Sequence, residues 1–353
     1  MDIEHREYQQ RSIEKTLEYF NNGCKSVLLE APTGSGKTVM GLKIVQGLMQ
    51  TAGKKLSCAW VAPRHYLLNQ LLESNSSFDL PITPVSMFTA PEKAEQFDIV
   101  VIDEAHHEAT SSFINLYTRM NPKYLLGLSA TPLRTDKVKL VFSATVSECN
   151  IHQLIRDGYL CKFNSYIIDN FTPEAVAEQY LKNEKLWGKT LVFMPTLEEC
   201  AKFQTLIRQA GKECLFIRSG DDRARELFEQ GTAPLAVNCQ LLTEGFDMPQ
   251  LQTVFVRKSS RLPMIQMAGR VLRNHPGKQI ANIVQPKNTP FPAKKMADPE
   301  QILHWRRDRF VALNGQNNIL TSTLRKTLEL RDKLKKSEPK IVCEFGETYY
   351  VSV

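Results

Sequence analysis

The chain has 353 residues, 42% hydrophobic and 24% charged, with a net charge of +7. That length allows about two ordinary domains and an appendage, and that composition is typical of a globular chain with proper cores, not of a disordered or fibrous one. No run approaches the ~18 apolar residues of a membrane span, and the opening MDIEHREYQQ lacks the apolar stretch of a secretion signal, so a cytoplasmic protein without a membrane role is expected.

In chain order, the first half alternates short apolar runs with helical patterns. SVLLE (26–30), SCAWVA (57–62), DIVVID (98–103) and YLLGLSA (124–130) read as buried parallel strands, and KTVMGLKIVQGLMQ (37–50) has helical periodicity. A second set follows: KTLVFMP (189–195), ECLFIRS (213–219), PLAVNCQ (234–240), QTVFVRK (252–258) and QIANIVQP (279–286). Between these lie helical segments such as TLEECAKFQTLIRQAG (196–211) and RARELFEQG (223–231). The rhythm is that of two α/β units in tandem. Their junction falls near IHQLIRDGYLCKF (151–163), where a helix should end at Gly158 and a strand begin. The expected division is 1–155, 156–290 and a C-terminal appendage, 291–353.

After Pro286 the character changes. PKNTPFPAKKMADPE (286–300) reads as a loop, ILHWRRDRFVAL (302–313) and NILTSTLRKTLELRDKLKK (318–336) as helices, and KIVCEFGETYYVSV (340–353) as a hairpin. From Lys294 to Lys340 there are twelve Lys and Arg against six Asp and Glu. An excess of that kind suits a polyanionic partner, or belongs to a solvated helix. Trp305 and Phe310 beside Arg306, Arg307 and Arg309 could stack on bases and grip phosphates. Packing of the two aromatics onto the second unit is favoured, since a helix normally buries them. The eight cysteines include no C-x-x-C pair, which points to thiols in a reducing compartment and not to a zinc site or disulfide framework.

APTGSGKT (31–38) follows one of these strands and opens a helix, the context a phosphate-binding loop requires. Gly34 and Gly36 let the backbone N–H groups of Thr33 to Gly36, Ser35 included, wrap phosphates at a helix N-terminus. Lys37 would bring charge to the β/γ-phosphates, and the Thr38 hydroxyl would ligate Mg²⁺. Ala31 stands where the first glycine of the pattern is usual. In VVIDEAHH (100–107), Asp103 at a strand end would hold the same Mg²⁺ and Glu104 would polarise the attacking water. His106 fits a supporting place beside the γ-phosphate, and His107 a surface one. In QMAGRVLR (266–273), Gln266, Arg270 and Arg273 share one face if the segment is an α-helix. Either that face is solvated, or two guanidiniums are aimed at an anion.

These segments, in this order, resemble the motifs of superfamily 2 helicases and translocases of the DEAH type, over roughly residues 3 to 286. The resemblance implies two tandem RecA-like parallel-sheet domains with a short C-terminal helical and hairpin appendage, an ATP hydrolase, and ATP with Mg²⁺. REYQQ (6–10) is similar to the adenine-recognising motif, with Gln9 reading the base edge and Arg6 packing on it. VAPRHYLLNQL (61–71) is similar to the motif whose Pro63-Arg64 turn contacts a nucleic-acid backbone. SATPLR (129–134) resembles the coupling segment, with Ser129 and Thr131 as its hydroxyls. LVFMPT (191–196) and NCQLLTEGFDMP (238–249) are similar to the later motifs. Thr89, Thr196 and Thr243 would then touch the bound strand, and Gly245 and Asp247 the nucleotide. Arg270 and Arg273 look like arginine fingers, which in general speed phosphoryl transfer ~10³–10⁵-fold. R-x-Y-Q, DEAHH and TEGFDMP look closer to DNA-directed members. They imply single-stranded or branched DNA ahead of RNA as the partner, with 3′–5′ movement, in a compact form such as phages and mobile elements carry. An RNA helicase, a nucleic-acid-stimulated ATPase that remodels or translocates without unwinding, a nucleotide-switched clamp and a P-loop kinase are the alternatives. The last leaves the second unit and its arginines unexplained.

Overall fold

The computed structural model describes residues 6–89, 95–107, 117–131, 140, 142–218, 221–239 and 248–313, and the backbone of 341–344 and 348–351. Its first sheet has six parallel strands: β1 (Ser26–Glu30), β2 (Cys58–Ala62), β3 (Ile82–Ser86), β4 (Ile99–Ile102), β5 (Tyr124–Ser129) and β6 (Ala144–Val146), in the order β3-β2-β4-β5-β1-β6. β2 and β4 are buried along their whole length, as strands covered on both faces must be. β3 carries Pro84, which cannot donate to a ladder, and among the described residues it lies at the edge, paired with β2 alone. Helices α1 (Glu7–Asn21), α2 (Lys37–Ala52) and α3 (His65–Asn75) flank this sheet.

Helix α4 (Ile151–Arg156) leads to the second sheet. Asn150 caps it by accepting from the N–H of Gln153 at 2.8 Å, and Gly158 turns the chain at φ +77. The sheet comprises β7 (Lys162–Ile168), β8 (Thr190–Phe193), β9 (Leu215–Phe216), β10 (Leu235–Asn238), β11 (Thr253–Val256), β12 (Ile280–Pro286), β13 (Gln301–Arg306) and β14 (Arg309–Ala312), ordered β14-β13-β7-β12-β11-β8-β10-β9. All neighbours are parallel except β13 with β14. Helices α5 (Pro173–Lys182), α6 (Glu184–Trp187), α7 (Leu197–Gln209), α8 (Asp222–Glu229) and α9 (Arg261–Gly269) complete the unit. The α/β architecture with two parallel sheets is as expected.

Residues 302–313 depart from the expectation. They form a β-hairpin added to β7, not a helix, and so extend the second sheet to residue 312, past the boundary placed at 290. Trp305 and Phe310 are a cross-strand pair with centroids 5.0 Å apart, and Phe310 also meets Tyr166 at 4.8 Å and Trp187 at 5.7 Å. The expected packing onto the second unit is therefore present, delivered by strands. Aromatic and β-branched residues suit a half-buried pleat, and burial of that face against Trp187, itself wholly buried, overrides the helical reading. The turn is Arg307-Asp308, with Arg307 at φ +55, and lacks the Asn-Gly signature of a tight hairpin. Residues 318–336 lie outside the described residues. Near the C-terminus, β15 (Ile341–Glu344) and β16 (Thr348–Val351) pair antiparallel, the hairpin expected there.

Candidate active site

The loop after β1 enters α2 through Gly36 at φ +83, following Gly34 at φ +81. A side chain is strained at such angles. A Cβ on Gly36 would also stand 2.6 Å from Gln9 Nε2. The cradle is tied to α1: Gln9 Nε2 and the Tyr8 hydroxyl both donate to the Ser35 carbonyl, at 2.9 and 2.8 Å. Gln9 Oε1 accepts from the Arg6 N–H at 3.1 Å, so one end of this amide holds the loop and the other the start of α1. The Ser35 side chain lies wholly buried behind the loop.

Lys37 Nζ donates to Ala31 O at 3.3 Å and Pro32 O at 3.5 Å. Burial works against its charge, while Glu104 and Asp103 support it. β4 ends beside this lysine and delivers Asp103, 7% exposed, whose Oδ1 accepts from the Glu104 N–H at 2.9 Å. Burial and the Glu104 carboxylate push Asp103 up to about 6, and Lys37 partly offsets this. Glu104 takes φ +51, a left-handed conformation a glutamate adopts only where its surroundings fix it. The two buried carboxylates supply oxygen donors suited to a divalent cation, and Lys37 with the glycine cradle suits a polyphosphate. The residues present thus fit ATP with Mg²⁺, which Thr38 and Asp103 would hold.

The second sheet closes this cleft. α9 ends at Gly269, a 3-10 turn carries Arg270–Leu272, and Arg273 is already extended at ψ 137. The single α-helical face expected for Gln266, Arg270 and Arg273 is therefore interrupted, because Arg273 leaves the helix. All the same, Arg270 and Arg273 line one cleft of about 570 Å³ with Arg6, Thr33, Gly34, Gly36, Lys37, Thr38, Asp103 and Glu104. Arg270 is 4% exposed. Burial pushes Arg273 down to about 10, which leaves it cationic at neutral pH. Contact with the loop is direct: a Cβ on Gly269 would meet Thr33 Cβ at 3.1 Å, and one on Gly34 would meet Arg273 Cγ at 3.3 Å. Gln266 Nε2 lies 3.1 Å from His106 Nε2, both buried. On the other side of the ring, His106 Nδ1 lies 3.5 Å from Glu104 Oε2. One chain of polar groups thus runs from Glu104 through His106 to Gln266, across the two sheets.

Other expected residues are placed outside the cleft. Ser129, at the end of β5, and Thr131 are buried; Ser129 O accepts from Ala31 N at 2.9 Å and its Oγ from Thr131 N at 3.2 Å, which ties this segment to the loop after β1. Pro63 is buried and Arg64, the residue before α3, is exposed. Thr89 is half-buried after β3. Thr196 caps α7, its Oγ1 accepting from Glu199 N at 3.1 Å. Thr243, Gly245 and Asp247 lie outside the described residues.

Sequence reasoning missed three participants. Tyr159 lines the cleft from the segment between the sheets, with the Arg6 guanidinium 5.0 Å over its ring and Tyr8 edge-on at 5.4 Å. Asn274 lines it too and donates to Gly158 O at 2.7 Å. Lys278 donates to Pro249 O, Leu251 O and Val271 O at 2.8, 3.1 and 3.0 Å. The only signal for the last two was their nearness in sequence to the arginine turn.

A family model for the type III restriction enzyme res subunit matches residues 2–83 and 82–134, within the first unit. IRC3 of Saccharomyces cerevisiae, named as an ATP-dependent helicase, is 25% identical over 349 residues, covering 79% of this chain and 51% of its own. The type I restriction enzyme EcoAI endonuclease subunit of Escherichia coli is 28% identical over 195 residues, 46% of this chain and 24% of its own. This chain spans about half the length of the yeast relatives it matches. Among solved structures, the type ISP restriction-modification enzyme LlaBIII bound to DNA has a TM-score of 0.61 at 18% identity, over 81% of this chain and 28% of its own. S. cerevisiae Dbp5 bound to RNA and ADP BeF3 has 0.59 at 13%, over 93% and 97%. No described helix is long and apolar enough to cross a membrane. In the order of its motifs, its paired RecA-like sheets and these relatives, the chain is similar to the helicases and translocases of superfamily 2.

Proposed function

We propose that this chain is a motor that couples ATP hydrolysis to 3′–5′ movement along single-stranded DNA in the cytoplasm, in replication, recombination or repair. The observation that carries the reading is the composite cleft, with Lys37, Asp103 and Glu104 from one sheet facing Arg270 and Arg273 from the other. A bound Mg²⁺ would neutralise phosphate charge there. Lys37 and the loop N–H groups bind the phosphates, Glu104 takes the proton of the attacking water, and the two guanidiniums stabilise charge on the transferred group. His106 and Gln266 report closure of the two units to Glu104, so hydrolysis and domain movement are linked. Arg64, Thr89, Thr196 and Thr243 grip the strand through its phosphates, alternately on the two units, which gives affinity without sequence preference and steep salt dependence.

Steady-state ATP hydrolysis with Mg²⁺, alone and with single-stranded DNA, duplex DNA or RNA, tests this, with Lys37→Ala as control. Stimulation by single-stranded DNA supports the reading. Stimulation by RNA alone replaces it with an RNA helicase, and hydrolysis that no nucleic acid stimulates overturns the motor.

A further inference from the structure

Five large apolar side chains are notably exposed among the described residues: Tyr19, Leu72 and Leu186 at 42–45%, Leu197 at 58% and Phe88 at 73%. Singly exposed apolar residues are common and call for no explanation by themselves. What distinguishes the two most exposed is position. Phe88 precedes Thr89 and Leu197 follows Thr196, the two described threonines proposed to hold phosphates of the strand, one on each unit. Both follow the carboxyl end of a parallel strand, the edge where α/β sheets bind ligands.

Both side chains are also presented rigidly. After β3, Thr89 N donates to Ser86 O at 2.9 Å and Phe88 N to Ser86 Oγ at 3.3 Å, closing a tight turn. That turn buries Met87 and leaves Phe88 outside. Leu197 is the first residue of α7, a 13-residue helix whose start is fixed by the reciprocal Thr196–Glu199 capping box. A hydrophobic staple would use the residue before the cap, so it does not account for Leu197.

We propose that Phe88 and Leu197 are nucleobase contacts: Phe88 stacks on one base of the bound single strand and Leu197 packs on another. The inference rests on the motor reading above and deepens it. Consecutive residues are about 3.8 Å apart, so a threonine at a phosphate sets its neighbour within reach of that nucleotide's base. Every base offers a π-face, so such contacts add affinity without sequence preference. The motor would then hold its track through bases as well as phosphates, and a damaged strand lacking a base would slip.

The test is binding of a labelled 20-nucleotide oligo-dT, and of an abasic strand of the same length, by fluorescence anisotropy over a salt series. Phe88→Ala should weaken oligo-dT binding about 10-fold, or ~1.4 kcal/mol, and Leu197→Ala about 3-fold, with the salt slope unchanged. On the abasic strand both variants should match the wild type, and Phe88→Tyr should restore binding to oligo-dT. Arg64→Ala, a phosphate contact, should instead weaken both strands alike and flatten the salt slope. The proposal is overturned if Phe88→Ala binds oligo-dT like the wild type, or loses equally on both strands. If the wild type binds neither oligo-dT nor oligo-U, the motor reading itself fails and takes the proposal with it.

Discussion

Replacing Lys278 by Met should separate the stability of the arginine turn from its place in turnover. The ammonium satisfies three carbonyls, of Pro249, Leu251 and Val271, and Val271 directly follows Arg270. Each such bond from a charged group is worth about 1.5–3 kcal/mol net. Relief of the buried charge offsets most of the sum, and a loss of about 2 kcal/mol remains. For a unit of this size that lowers Tm by about 4–8 °C. Arg270 and Arg273 lose one side of their anchorage, and a displacement near 1 Å in a reacting group can cost ~10²-fold. The expected result is a kcat for ATP at least ~10-fold lower, with KM changed less than ~3-fold.

Titration gives a second readout. Burial pushes the Lys278 ammonium down to about 8. The folded value lies below the unfolded one, so the unfolded chain binds more protons in this window. Stability from this group therefore rises as pH climbs from about 8 to the ordinary lysine range. The neutral amine offers two N–H groups to three carbonyls, so turnover should fall over the same range. Both trends should vanish in Lys278→Met. Thermal melts and initial rates from pH 7 to 10 decide it. Lost stability with unchanged kcat would show that Lys278 braces the fold without positioning the arginines, and refute the reasoning.

Other substitutions probe separate parts of the molecule. Gly36→Ala forces a Cβ at φ +83 against Gln9. It should cost ~1–2 kcal/mol of stability and raise the Kd for ATP at least 10-fold by calorimetry; unchanged affinity would mean the cradle is not shaped as described. Gln266→Ala removes the partner of His106 across the cleft and should lower nucleic-acid-stimulated kcat ~10-fold with basal hydrolysis reduced less. Equal loss in both would argue against a coupling role. Phe310→Ala strips a ring that meets Tyr166, Trp187 and Trp305, so a half-buried site should lose ~2 kcal/mol in urea unfolding. A loss under ~0.5 kcal/mol would mean the hairpin does not dock. Asp98 accepts from Ser57 N and Oγ, both at 2.9 Å, which holds its carboxyl below the usual range. Its stabilisation is complete above the ordinary carboxylate range and disappears as pH falls through the depressed value. The urea midpoints of wild type and Asp98→Ala should thus converge as the pH falls below the ordinary carboxylate range.

What the sequence disclosed and what it withheld follow from range. The strands around Lys37 and Asp103 were legible because fully buried parallel strands are continuous apolar runs, and Gly34 and Gly36 because few residues accept their angles. β3 was missed because its pattern is broken by Pro84, which only an edge tolerates. β13 and β14 carry a helical pattern in sequence because the decisive partners, Tyr166 and Trp187, lie more than a hundred residues upstream. Within the cleft, Arg270 was legible from its motif. Lys278 was not, since nothing local tells that a lysine will meet three carbonyls from two different loops.

The pairing of β7 has a consequence for how the chain is made. β7 lies between β12 and β13, and both are encoded more than a hundred residues later. A ribosome adding ~5–20 residues per second needs roughly 7–27 s to travel from β7 to β13. Throughout that interval the first sheet can close, whereas β7 waits with both edges open. The second sheet is therefore completed only when the hairpin at 301–312 emerges, and a nascent chain stopped short of it leaves the aromatic face of Tyr166 and Trp187 uncovered, a mark by which proteases and chaperones can tell an unfinished chain from a finished one.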